Sequence, residues 1–259
     1  MPFTSTARRI ASGFTLIELV VVLAILAALA GLIIPRVDFL KSSAESASGA
    51  AAMEETFGNL QLFKTVKGTY PHQFDSLLDT TGAVYGKIFT HGGTSWMTPL
   101  SITPPPPGPP APSLYASLVH GLESNSSGFF VLYDHSLTST EFSDSATVAR
   151  IVDGTAAFNV AELTSTSVRN KLYPGGVPAG VRLVCFGIGP KCTAVGTTMA
   201  APALCAGVGP VNPSTHYCRY VAVMAISETA IKCQLKAVID PLGNDVTGRL
   251  KGYYTSTPE

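Results

Sequence analysis

The chain has 259 residues, with 17 basic and 17 acidic side chains, and only 13% of its residues are charged. A neutral balance with no basic cluster lacks the electrostatic footprint of a nucleic-acid binder. Few charges beside abundant Gly, Ser, Thr, Pro and Ala suit an extracytoplasmic surface protein with long loops better than a cytosolic enzyme.

Met1 to Gly13 holds Arg8 and Arg9 and no acid. From Phe14 to Ile34 the only charge is Glu18, set among Leu, Val, Ile and Ala. An apolar run of about 20 residues is long enough to cross a bilayer as one helix. The basic leader would stay cytoplasmic, so the chain beyond Pro35 is expected outside. A carboxylate in hydrocarbon costs about 3 kcal/mol on insertion scales, so Glu18 needs a partner or a job. Its place near the helix start, at the positive end of the macrodipole, favours an anion.

Gly13-Phe14-Thr15-Leu16-Ile17-Glu18-Leu19, with the apolar run to Pro35, resembles the N-terminus of type IV pilins and type II secretion pseudopilins. The resemblance implies cleavage between Gly13 and Phe14 by a prepilin peptidase and methylation of the new Phe14 amine. It gives Glu18 the role of the acidic assembly residue, and Pro35 that of a helix-kinking proline near which the helix melts in a fibre. After the cut, the Phe14 amine would lie one helical turn from Glu18, in its own or a neighbouring subunit. A rival reading is an ordinary secretory signal ending at Ala28-Leu29-Ala30. Such signals have apolar regions of about 7–15 residues and seldom contain Glu. A mature chain beginning at Phe14 supports the first reading, and one beginning at Gly31 the second.

Residues 14–64 read as one long helix, membrane-spanning over 14–35, with a soft spot at Gly31 and Pro35. Leu40, Ala44, Ala47 and Ala51 keep helical spacing, and Met53, Phe57, Leu60 and Phe63 continue the stripe. Nearly every residue from Ser42 to Ala52 is small, which lets other backbones approach closely. Gly68-Thr69-Tyr70-Pro71 ends the helix, and Phe74 to Leu78 is expected to form a short second turn. Leu78 to Ser113 reads as loop. Within it, Pro104 to Pro112 should be stiff, exposed polyproline II, a spacer rather than a partner-binding motif.

Strand signals follow at Phe129–Tyr133, Ala146–Val152, Val181–Phe186, Tyr217–Ile226 and Ile231–Ile239, with the last two joined as a hairpin over Ser227–Thr229. Arg249–Thr255 reads as a weak terminal strand. The expected fold is α+β, a long N-terminal helix packed on an antiparallel sheet head spanning 65–259. The pilin resemblance implies the same architecture.

All five cysteines lie between Cys185 and Cys233. In an exported chain that clustering suggests disulfides, with Cys185, Cys192, Cys205 and Cys218 bracketing short turn-rich segments and Cys233 left over. Connectivity stays open, and reduced buried thiols are the alternative. Zinc is not expected, because no cysteine pair has a companion pair at ligand spacing. Asp240-Pro241-Leu242-Gly243-Asn244-Asp245 has good turn chemistry. It is similar to the Asp-Pro-Trp-Gly motif of type II secretion major pseudopilins, with Leu242 in the Trp position. That resemblance implies a calcium loop nearby, for which Asp240, Asn244 and Asp245 are hard oxygen donors; a plain turn is the simpler reading.

No nucleophile elbow, zinc-protease helix, phosphate loop or dinucleotide fingerprint is present, so no enzyme is expected. His72, His91, His120, His135 and His216 are scattered, and Asp134-His135 has no designated serine. Asn125-Ser126-Ser127 fits a glycosylation sequon. The sequence therefore reads as a single-pass inner-membrane subunit with its head in the periplasm or on the cell surface. Its expected partners are other pilin-like subunits, further copies of itself, the prepilin peptidase and the membrane assembly machinery. A minor or tip-type binding module is the alternative.

Overall fold

The computed structural model describes residues 15–90, 94–106, 111–125, 128–136, 146, 148–205 and 215–255. The chain divides into two compact units, Met1–Ser42 and Ser43–Glu259. The first helix, α1 (Leu16–Lys67), covers 52 residues, Pro35 included. In the first unit, the described large apolar side chains from Leu16 to Leu29 are all exposed. Among the described residues, no helix is long and apolar enough to cross a membrane. The run of described side chains there stops at Gly31, short of the apolar stretch that the sequence carries to Ile34.

The second unit adds β1 (Phe74–Asp79), β2 (Met97–Ile102), α2 (Leu114–Gly121), β3 (Phe130–His135), β4 (Val148–Val152), β5 (Phe158–Leu163), α3 (Thr166–Leu172), β6 (Val181–Gly187), β7 (Val221–Ser227), β8 (Cys233–Ile239) and α4 (Val246–Thr255). The strands run β2-β5-β6-β1-β3-β4, with β7 on β6 and β8 on β7. One edge of β6 pairs with β7 along its whole length, while β5 and β1 share the other. Alternating residues of β6 and β7 feed two cores. Val184, Phe186, Ala222 and Met224 join Met53, Leu60 and Phe63 of α1. Leu183, Cys185, Val221 and Val223 join Trp96, Tyr85 and Val168 on the other side. The sheet is thus a sandwich filling, with α1 on one face.

Several expectations are corrected here. The sheet is mixed rather than antiparallel, because β1 and β3 pair in parallel, Phe74 beside Leu132. The chain between them makes the long excursion through β2 and α2 that a parallel return requires. Phe74 to Leu78 is a strand, not a helical turn: all six residues of β1 are buried, and Phe74 stacks on Phe186 at 5.6 Å. Burial on both faces removes the alternation that would have revealed it. Arg249 to Thr255 is part of helix α4. Asp245 Oδ1 accepts from Gly248 N at 2.9 Å, capping it, and Arg249 N bonds Asp245 O at 3.0 Å. The stretch read as loop contains β2, which pairs over six residues with β5. Strands β3, β4, β6, β7 and β8 lie where their apolar runs put them, and β7 and β8 form the expected hairpin. Ser227 Oγ fastens that turn by accepting from Thr229 N and Ala230 N, both at 3.2 Å. Pro107 to Gly108, Pro109 and Pro110, the middle of the proline block, lie outside the described residues.

Candidate functional site

The first site is the start of α1. Thr15 is its last non-helical residue, and Leu19 N bonds Thr15 O at 3.2 Å. Glu18, three residues on, turns back. Its Oε2 accepts from Thr15 N at 2.8 Å and from Thr15 Oγ1 at 2.9 Å. Glu18 N approaches Thr15 Oγ1 at 3.4 Å. Thr-x-x-Glu before an apolar run is a capping box, with the carboxylate and the hydroxyl answering two otherwise unpaired backbone donors. Sequence reasoning missed Thr15, although that four-residue spacing was the signal. Gly13 and Phe14 lie outside the described residues, and so does any contact between the Phe14 amine and Glu18. Pro35 is among the residues of α1.

The second site is a buried node where α4 meets the long helix. Asp240 is fully buried at the end of β8, and Arg249 Nε lies 2.7 Å from its Oδ2. Arg249 Nη2 also reaches Cys205 Sγ at 3.2 Å. The guanidinium carbon lies 3.5 Å from where a Cβ would stand on Gly49, and Tyr220 OH donates to Gly49 O at 3.4 Å. The small residues of α1 therefore admit an arginine and a tyrosine against the helix backbone. Asp240 Oδ1 accepts from Leu242 N at 2.9 Å and Asn244 N at 2.8 Å, and Oδ2 accepts from Asn244 Nδ2 at 3.1 Å. Asp245 Oδ1 is engaged with Gly248 N. These donors do not fit calcium. Asp240 is already satisfied by a closed turn, and a guanidinium occupies the place of the cation. Among the described residues, no group of three or more His, Cys, Asp or Glu side chains is placed to hold a metal ion.

All five cysteines are buried. Cys185 lies on the face of the sheet away from α1, and Cys192 belongs to the core beneath α1, so the segment between them does not bring their sulfurs together. Cys205 and Cys218, by contrast, are neighbours: Cys205 N donates to Cys218 O at 2.9 Å. Burial pushes the Cys192, Cys205 and Cys233 thiols up to about 12, and raises those of Cys185 and Cys218 as well.

Among the described residues, the histidines do not form one group. His72 is buried, and its Nδ1 accepts from Val131 N at 3.2 Å; burial lowers its pKa, opposed by Glu123. His135 stacks on Tyr85 at 4.4 Å and sits 4.0 Å from Asp75 Oδ2. Its neighbour Asp134 turns to Ser76 and Arg150 instead. Ser76 donates to the carboxylate, not to an imidazole, which is not the order a catalytic triad needs. His216 packs near Phe89, and His91 lies outside the described residues.

A polar cavity of about 440 Å³ opens beside the end of α1, lined by Lys67, His72, Gln73, Glu123, Lys191 and Thr193 among others. Its wall is tied by Thr193 N to His72 O at 3.0 Å, and Gln73 holds a left-handed φ of 60°. Sequence reasoning missed this cavity, because it joins the end of α1 to a turn more than 100 residues away.

One comparison with known proteins identifies the N-terminal stretch. The family model described as "Prokaryotic N-terminal methylation motif" matches residues 8–34, and that motif is the signature of type IV pilins and pseudopilins. Comparison of the chain with curated proteins and with solved structures finds no match.

Proposed function

We propose that this chain, which carries the type IV pilin and pseudopilin signature, is a prepilin-type structural subunit. In this reading it is cleaved after Gly13 and N-methylated at Phe14. The run from Phe14 to Pro35 holds it in the inner membrane as a single-pass protein, with the head exported. Subunits then assemble through α1 into a type II secretion pseudopilus or a type IV pilus-like fibre, with other pilin-like subunits and the inner-membrane machinery as partners. The observation that carries the reading is the methylation motif over residues 8–34. The capped start of α1 supports it, since Thr15 and Glu18 form a helix-initiating unit immediately after the proposed cut. Hydrogen bonds from Thr15 also lessen the cost of carrying Glu18 into an apolar environment, before or besides any amine.

Mass spectrometry of the protein from its host tests this directly. The expected species lacks residues 1–13 and carries one methyl group on the Phe14 nitrogen. A chain beginning at Gly31, or one with Gly13 still joined to Phe14, overturns the reading.

A second reading, a minor or tip-type binding module, draws on the polar cavity beside α1. Stoichiometry in purified fibres separates the two, because a structural subunit is abundant and a tip subunit rare.

A further inference from the structure

We propose that Cys205 and Cys218 form a single disulfide in the head and that Cys185, Cys192 and Cys233 remain thiols. The inference rests on the exported location proposed above, since a chain kept in the cytosol is held reduced.

The carrying observation is a backbone one. Leu204 and Arg219 are partners in an isolated antiparallel bridge, so the next pair inward, Cys205 and Cys218, stand directly opposite each other. Cys205 N donates to Cys218 O at 2.9 Å, and the Cys218 thiol donates to Cys205 O at 2.9 Å. Opposed residues of an antiparallel pair have Cα atoms about 4.5–5.5 Å apart, within the span a disulfide bridges. Both side chains are 1% exposed, so both lie on the inward face. The other three cysteines have no such partner. Cys185 lies between Ala161 and Val223 in the sheet, and Cys233 lies opposite Ile226. Cys192 lies in a tight turn, bonded to Gly189 O through its own N and to Val195 N through its O.

Oxidation needs a disulfide-bearing oxidant, such as oxidised glutathione. One cysteine thiolate attacks the oxidant and releases half of it as a thiol, giving a mixed disulfide. The second thiolate then displaces the other half. The pair loses two protons and two electrons, and the oxidant leaves as two thiols. Burial holds both sulfurs protonated in the closed fold, so the bond forms while the chain is folding. Once made, it ties Cys218 to Cys205, which Arg249 Nη2 touches at 3.2 Å.

The test uses the full-length chain in detergent. Protein from the host is acid-quenched, alkylated under denaturing conditions and mapped by peptide mass spectrometry. The expected result is alkylation at Cys185, Cys192 and Cys233, and a linked peptide pair joining Cys205 to Cys218. Cys218→Ser should then leave four alkylated cysteines. A second arm unfolds the chain in urea and returns it to micelles with a glutathione redox pair. A 205–218 link formed in the glutathione arm but missing from the host material supports the pairing and overturns export. No link in either arm, or a link through Cys185, Cys192 or Cys233, overturns the pairing.

Discussion

The buried charges of the head are satisfied one residue at a time, and Arg249 shows what that costs. Its partner Asp240 has a side chain that is fully buried, and Arg249 itself is 8% exposed. Removing one member of such a pair strands the other, a loss of about 3–5 kcal/mol, whereas replacing both by apolar groups of similar volume is often close to neutral. Arg249→Met should therefore lower the urea midpoint sharply, and the Asp240→Leu, Arg249→Met double variant should recover much of it. Equal damage in the single and double variants would show that the turn needs the Asp240 carboxylate more than the ion pair. His72 gives a pH signature. Its ring is buried, and its Nδ1 is occupied as an acceptor, so the folded state resists the proton. The unfolded chain takes up that proton as pH falls through about 6.5. The contribution of the neutral ring is thus complete above that pH and drains away as pH drops toward the lower folded value. His72→Asn keeps an acceptor for Val131 N without the titration. Urea midpoints measured from about pH 7.5 to 5 should fall less steeply for that variant than for the parent.

Helix α1 shows what a small residue is for. A Cβ on Gly49 would meet Arg249 Cζ at 3.5 Å and Tyr220 OH at 3.7 Å, ordinary contact distances. Gly49→Ala should therefore gain about 0.5–1 kcal/mol from helix propensity. Gly49→Leu would drive a branched side chain into the guanidinium and should lose more than that. A midpoint for Gly49→Ala below the parent would mean that the contact is tighter than the distances imply. The same accounting explains which elements were legible in the sequence. Strands β3 and β6 through β8 announced themselves through runs of Val, Ile, Tyr and Phe. Strand β1 did not, since Asp75, Ser76 and Asp79 look like turn residues. Here they are buried because Tyr217 OH donates to Asp75, and Ser76 to Asp134. Helix α2 was equally hidden behind the proline block, although Ser113 caps it by accepting from Ala116 N at 3.1 Å. Helix α4 read as a strand because Tyr253, Tyr254 and Thr255 favour β structure, and the Asp245 cap overrode them. At the N-terminal site, Glu18 was legible from its isolation in the apolar run, but its Thr15 partner emerged only with the side-chain geometry.

At the scale of the whole chain, the division at Ser42 separates two kinds of surface. The long exposed apolar run, Leu16 to Leu29, lies entirely before it, and the exposed large apolar residues after it, such as Leu62, Val148 and Leu250, are spread over different elements. Scattered residues of that kind are normal on a soluble domain, whereas a continuous run is not. A fragment of residues 43–259 should therefore stay in solution without detergent and unfold in one cooperative urea transition, while the full chain should need a membrane mimic. The helical part of that fragment cannot be trimmed further. Met53, Leu60 and Phe63 are at most 1% exposed, and burying each contributes roughly 1.5–3 kcal/mol. Together they rival the whole net stability of a domain, about 5–15 kcal/mol. A fragment of residues 64–259 should accordingly lose the cooperative transition and expose apolar surface to a dye such as ANS. Should 64–259 unfold as sharply as 43–259, the second half of α1 would be an appendage of the head rather than part of its core. Aggregation of 43–259 without detergent would show instead that the head carries an apolar surface of its own, one that only a neighbouring subunit covers.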